Sequence, residues 1–87
     1  MPYTVVLTPA AQRDLSALDR RTLQRVDAKI RALATNPRPS GAEKLKGGAG
    51  DVYRVRLGDY RILYPIEDDR LLVVVVRIRH RREVYRR

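Results

Sequence analysis

The chain has no cysteine and a single histidine, and acidic side chains are scarce: 10 Asp and Glu stand against 19 Lys and Arg. Without cysteine no disulfide can staple the fold and no thiolate can serve as nucleophile or metal ligand, a usage that suits a reducing compartment. One histidine, with no pair of carboxylates on a shared face near it, excludes the usual zinc and two-metal hydrolase sites, so no metal or other cofactor is expected. A hydrolytic triad fails for the same reason. Ser16 and Ser40 fall in a predicted helix and a predicted loop, neither sits in a glycine elbow, and His80 is the only imidazole available as a base. Gly47-Gly48-Ala49-Gly50 lacks the GK[ST] ending of a phosphate loop and reads as a connector. Long apolar runs are missing too. Leu71 to Val76 is far too short to cross a bilayer, and Met1 to Leu7 lacks the basic and apolar regions of a secretion signal, so a cytoplasmic location without membrane contact is expected.

What is present is positive charge. The net charge is +9, with +3 from residues 1–43 and +6 from residues 44–87, an asymmetry that favours an anionic partner such as nucleic acid. Eighty-seven residues allow one domain, 1–87, with a single modest core. Tyr3 to Leu7 is a β-branched run that predicts a first strand, and Thr8-Pro9 supplies an N-cap followed by proline at the first helical position. The helix predicted from Pro9 to Leu18 places Ala11, Leu15 and Leu18 on one face. Asp19 caps a second helix from Arg20, in which Leu23, Val26, Ile30 and Leu33 recur at helical spacing until Thr35-Asn36-Pro37-Arg38-Pro39 ends it. Arg13, Arg21, Arg25 and Arg31 on these helices read as solvated outer-face residues. Ser40 to Gly50 is expected to be a glycine-rich connector. Leu71 to Ile78, nearly all apolar, predicts a central strand covered on both faces. The predicted order β-α-α-β-β-β is an α+β domain: an N-terminal strand and a helical hairpin packed on one face of a small, mainly antiparallel sheet.

The segment Val52 to Tyr64 carries the chemistry. If Gly58-Asp59 is a two-residue hairpin loop, Leu57 faces Tyr60, Arg56 faces Arg61, Val55 faces Ile62 and Arg54 faces Leu63. Arg54, Arg56 and Arg61 then share one face, while Tyr53, Val55, Leu57, Tyr60, Ile62 and Tyr64 cover the core from the other. Like charges set opposite one another cost up to roughly 1 kcal/mol, a cost that points to an anion bound between them. Arginine suits a phosphate: its guanidinium fork donates to two oxygens at once and stays charged, so it can stabilise a pentacovalent phosphorane. RNA brings its own nucleophile, the 2′-OH, and a metal-free cut would leave a 2′,3′-cyclic phosphate and a 5′-OH. His80 is open to both a structural and a catalytic reading.

Lys44-Leu45-Lys46-Gly47, Tyr53 to Tyr64 and His80-Arg81-Arg82-Glu83-Val84-Tyr85 together resemble the RelE branch of the RelE/ParE superfamily of type II toxin-antitoxin toxins, over essentially the whole chain. The resemblance implies a ribosome-dependent endoribonuclease, an mRNA interferase that enters the ribosomal A site and cleaves translated mRNA. It also implies a cognate antitoxin that neutralises the toxin, with operator DNA bound only through the toxin-antitoxin complex. By position, Arg61 matches the arginine that stabilises the transition-state phosphate, Arg81 the one linked to leaving-group protonation, and Tyr85 the tyrosine that stacks on or orients the mRNA base. Arg54 and Arg56 fall where well-studied members carry lysines, one of them proposed as general base. Arginine is a poor base because its pKa exceeds about 12, so catalysis here is mostly electrostatic or enlists His80. Lys44 and Lys46 match a basic loop that contacts ribosomal RNA, and Arg79 and Arg82 are grouped with them as RNA contacts. The competing readings are a ParE-like gyrase inhibitor without enzymatic activity, a degenerate member that only binds antitoxin, and a generic nucleic-acid-binding domain.

Overall fold

The computed structural model describes residues 2–47 and 50–80, the side chains at 46, 47 and 50 excepted. Strand β1 is Thr4–Leu7, helix α1 Pro9–Ser16 and helix α2 Arg20–Ala32. Both helices start as their caps dictate: the Thr8 hydroxyl accepts the Ala11 N–H at 3.2 Å with Pro9 following it, and the Asp19 carboxylate accepts the Thr22 N–H at 2.9 Å. Helix α1 stops at Ser16 rather than Leu18. The Leu18 N–H turns back to the Leu15 carbonyl at 3.1 Å, a tighter turn that frees Asp19 to adopt the extended backbone of the next cap. Ala11, Val26, Ile30 and Leu33 from the two helices bury themselves against Val55, Ile62, Tyr64, Val73, Val75 and Ile78 of the strands. Each buried aliphatic side chain is worth about 1.5–3 kcal/mol, and this layer carries the fold.

The strands outnumber the expectation. Within the predicted Ser40–Gly50 connector, Glu43–Gly47 forms β2, because Glu43, Lys44 and Leu45 alternate about a pleat and pair antiparallel with Val52, Tyr53 and Arg54 of β3, Gly50–Leu57. Strand β4, Tyr60–Tyr64, pairs with β3 in the register that the loop dictates: Leu57 with Tyr60, Arg56 with Arg61, Val55 with Ile62 and Arg54 with Leu63. Gly58 supplies the positive φ, +60°, at the first loop position.

The expected central strand over Leu71–Ile78 is replaced by two strands. After β5, Ile66–Glu67, and a 3-10 turn at Asp68–Arg70, the chain forms β6, Leu72–Val75, and β7, Arg77–His80. Leu63 faces Arg77 and Ile66 faces Val73, so two residues on one strand oppose three on the other: Tyr64 and Pro65 against Val74, Val75 and Val76. This is a bulge, placed where Pro65 has no N–H to give the ladder. The Val76 N–H reaches the Leu63 carbonyl at 2.9 Å and the Val74 N–H reaches that of Pro65 at 3.2 Å, joining the antiparallel sheet β2-β3-β4-β7 to the sheet β1-β6-β5, in which β1 runs parallel to β6. The extra residue shifts the phase of the side chains. Val73, Val75 and Ile78 all face the core, and Arg77 and Arg79 are turned outward; in an unbulged strand the alternation would carry both arginines inward.

Opposite the bulge, an Arg38-centred clamp fastens the α2–β2 connection. Its guanidinium donates to both oxygens of Asp68, at 3.1 and 2.8 Å, and through Nε to the Tyr53 hydroxyl at 3.2 Å, while the Tyr3 hydroxyl donates to Asp68 at 2.6 Å. Those hydrogen bonds, Arg38's first, hold the Asp68 carboxyl down at about 2. Beside the clamp the fully buried Tyr64 donates its hydroxyl to the Pro37 carbonyl at 2.8 Å, and burial pushes its pKa up to about 12. Among the described residues no helix is long and apolar enough to cross a membrane.

Candidate active face

The face of the antiparallel sheet turned away from the helices is built from two rows. In one, Arg56 of β3, Arg61 of β4 and Arg79 of β7 stand side by side across three strands. In the next, one pleat repeat away, lie Glu43, Arg54, Leu63 and Arg77. The expected sharing of a face by Arg54, Arg56 and Arg61 is therefore met, and the bulge adds Arg79 to it.

The arginines differ in their partners. Arg54 donates through Nε to Glu43 Oε1 at 3.1 Å, and its Nη2 reaches the same oxygen. Arg77 of β7 reaches Asp14 of α1, with bonds of 2.8 and 3.2 Å, and Asp14 also accepts the Ile78 N–H at 2.9 Å, satisfying a backbone donor of that strand. Partial burial works against the Asp14 charge, but Arg77, the Ile78 N–H and the field of Arg79 together hold its carboxyl below the usual range. Among the described residues Arg56 and Arg61 make no ion pair. Arg56 is exposed and Arg61 half-buried.

Glu43 is the residue that the sequence did not single out. It is the one carboxylate that β2 and β3 bring onto the arginine face among the described residues. Its pKa is lowered by the bond from Arg54 and further by the charges of Arg56 and Arg61. The signal was the E-x-L-x alternation of Glu43 to Lys46 ahead of β3, masked by the glycines that follow.

Two expected site residues lie elsewhere. Lys44 pairs in register with Tyr53, which packs on the core, so it sits on the opposite side of the sheet from Arg54, Arg56 and Arg61; its ammonium is 3.2 Å from Asp51. His80 pairs with Tyr60 on the helix-facing side and meets the Tyr60 ring edge-on, 5.0 Å between centroids. The same alternation that turns Arg79 outward turns His80 inward, which removes it from the arginine row as a base. Lys46's side chain, Arg81, Arg82 and Tyr85 fall outside the described residues.

A model of the ParE toxin of the type II toxin-antitoxin system parDE matches residues 5–85. Toxin RelG of Mycobacterium tuberculosis is 40% identical over 88 residues, spanning all of both chains. This chain belongs to the RelE branch of the RelE/ParE toxin family. Toxin RelE of the same organism is 33% identical over 86 residues, covering 98% of this chain and 88% of its own. Among solved structures, the RelBE2 toxin-antitoxin complex from M. tuberculosis superposes with a TM-score of 0.82 at 34% identity, over 92% of each chain. The archaeal RelE–RelB complex from Pyrococcus horikoshii OT3 gives a TM-score of 0.82 at 27% identity, over 93% of this chain and 97% of that one. The helical hairpin packed on the sheet is thus the RelE fold, and this RelE-branch toxin carries its arginine rows on the surface that the helices leave open.

Proposed function

We propose that this chain, as a single domain over residues 1–87, is a metal-independent, ribosome-dependent endoribonuclease that cleaves translated mRNA in the A site and is neutralised by a cognate antitoxin. The observation that carries this reading is the Arg56–Arg61 pair: two guanidinia opposed across a hairpin, with no ion partner among the described residues, on the open face of a RelE-branch fold. The field of Glu43 reaches this pair but no carboxylate engages its donors among the described residues, and a scissile phosphate brings two non-bridging oxygens to two forks.

Neither arginine can take the 2′-OH proton at neutral pH. Glu43 can. Its carboxylate is ionised, lies on the same face, and is held by Arg54. When the phosphate competes for the Arg54 guanidinium, the carboxylate loses its main stabilising contact and its proton affinity rises. The proton then passes from the 2′-OH to Glu43, O2′ bonds to phosphorus, and the P–O5′ bond breaks with the leaving oxygen protonated from solvent or by the group matching Arg81. The products are a 2′,3′-cyclic phosphate and a 5′-OH. By family position Tyr85 orients the base and Lys44 and Lys46 with Arg82 contact ribosomal RNA. Lys44's place on the far side of the sheet fits a surface turned to the ribosome rather than to the cut. The setting is the cytoplasm, and operator DNA is met only in the antitoxin complex.

The match to a ParE model supports one alternative, a non-enzymatic gyrase inhibitor, and the exchange of lysine for a tethered Arg54 supports another, a member that has kept only antitoxin binding. Primer extension on a translated mRNA and on a copy without its start codon separates them. Cuts confined to the translated copy are expected. Growth arrest without cuts would favour gyrase, and neither cuts nor arrest would favour the degenerate reading.

A further inference from the structure

Helix α2 carries Arg21, Arg25 and Lys29 at successive four-residue steps, a stripe of like charge that costs the helix about 0.2–0.5 kcal/mol per pair. Arg31, on another side of the helix, is neutralised by Asp27 at 2.9 Å. Arg25 and Lys29 make no ion pair among the described residues, and Lys29 is half-buried. Both line a groove between α2 and the margin of β3. Strand β2 pairs with β3 only as far as Arg54, so among the described residues the β2-side edge of Val55 to Leu57 has no strand beside it. Along that edge lies a cleft of about 370 Å³ walled by Lys29, Ser40, Gly41, Glu43, Arg54 and Arg56. A second, of about 270 Å³, follows it past Thr22, Arg25, Gly58 and the Asp59 carboxylate, so the cation-rich part of the groove is the first. The first is at the small end of clefts that hold ligands, about 300–1,000 Å³. Gly41, with φ of +91°, leaves open space where a Cβ would stand.

We propose that this groove is a second phosphate subsite, in which Lys29 holds the phosphodiester of a messenger nucleotide flanking the scissile one. The inference rests on the nuclease reading above and extends it off the arginine face. Arg56 borders both the face and the cleft, so a single strand seated on Arg56 and Arg61 is led over the sheet margin toward α2. A half-buried ammonium that makes no ion pair among the described residues, in a cleft with two further cations and one carboxylate already bound by Arg54, gains most from a ligand that brings negative charge. Phosphate contact asks for charge rather than sequence, so Lys29 is a positioning residue whose loss acts on binding rather than on proton transfer.

The test compares wild type, Lys29→Ala and, as control, Arg31→Ala. On ribosomes programmed with full-length mRNA, Lys29→Ala should lower kcat/KM several-fold through KM with an unchanged pH profile, and Arg31→Ala should match wild type. Messages shortened one nucleotide at a time, from either side of the cut, should reach a length at which wild type falls to the Lys29→Ala level and the variant loses nothing more. In parallel, binding of a 2′-deoxy oligonucleotide, which cannot be cut, should show a salt slope smaller by about 0.7 in Lys29→Ala. A Lys29 effect undiminished on every shortened message would assign the contact to ribosomal RNA and overturn the proposal. So would an unchanged KM together with an unchanged salt slope. Absence of cleavage by wild type while the slope still depends on Lys29 would remove the nuclease reading and leave the groove as an RNA site; an unchanged slope in that case overturns both.

Discussion

Two rows of the same sheet face treat arginine in opposite ways. In one, Arg54 and Arg77 are each drawn to a carboxylate, Glu43 and Asp14; in the next, about 7 Å away, Arg56 and Arg61 oppose each other with no ion partner among the described residues. A fork that already meets a carboxylate has its best donors committed, whereas a fork opposed to another fork keeps its donors uncommitted and gains most when an anion arrives. In the first row Arg77 therefore builds the surface and Arg54 tethers Glu43, while the second row is poised to bind. Counting basic residues cannot separate the two roles, because only register and partner distinguish them.

Breaking the unpaired row should have the largest effect. Arg61→Ala is expected to cut cleavage by about 10²–10³-fold, the usual cost of removing one preorganised transition-state donor, with the melting temperature unchanged or slightly raised as the repulsion is relieved. Arg61→Lys restores the charge but not the fork and should recover only part of the rate in single-turnover assays. Glu43→Gln comes next, with a loss of about 10²-fold in rate. Because Arg54 holds the Glu43 carboxyl below its ordinary value of 4.5 in the free protein, kcat/KM of wild type should hold as pH falls into that range, and the acid limb set by Glu43 should vanish in the variant.

Breaking the Asp14–Arg77 tether should cost stability instead. Asp14→Ala removes two bonds from Arg77 and leaves the Ile78 N–H without its acceptor, so urea unfolding should show a loss of about 1–3 kcal/mol while cleavage per folded molecule is retained. The smallest effect belongs to Arg38, a third tethered arginine. Asp68 titrates at about 2 in the folded chain against 3.8 ordinarily, so the clamp's contribution is complete above about pH 4 and fades as pH falls through about 2. Arg38→Ala should flatten that acid-side decline in a melting-temperature series.

The contrast also shows where the sequence was legible. The hairpin register could be read because Gly58-Asp59 fixes the loop and alternation does the rest, and the helix starts could be read because Thr8 and Asp19 are unambiguous caps. The bulge could not, since an apolar run from Leu71 to Ile78 has no period-2 contrast to reveal a change of phase; Pro65, inside a strand pattern, was the available sign. Missing the bulge left the faces of Arg79 and His80 undetermined, and missing β2 hid both the Glu43–Arg54 pair and Lys44's place on the other side. The Asp14–Arg77 pair spans 63 positions, a separation that no local pattern encodes.

The most direct test is single-turnover cleavage on programmed ribosomes by wild type, Arg61→Ala and Arg77→Ala, each checked for folding by thermal melting. Arg77→Ala should melt earlier but cleave at the wild-type rate, and Arg61→Ala should melt normally but lose about 10²-fold or more. Equal losses in the two variants, or full activity in Arg61→Ala, would contradict the division of the arginine face between a structural Arg77–Asp14 tether and a binding Arg56–Arg61 pair.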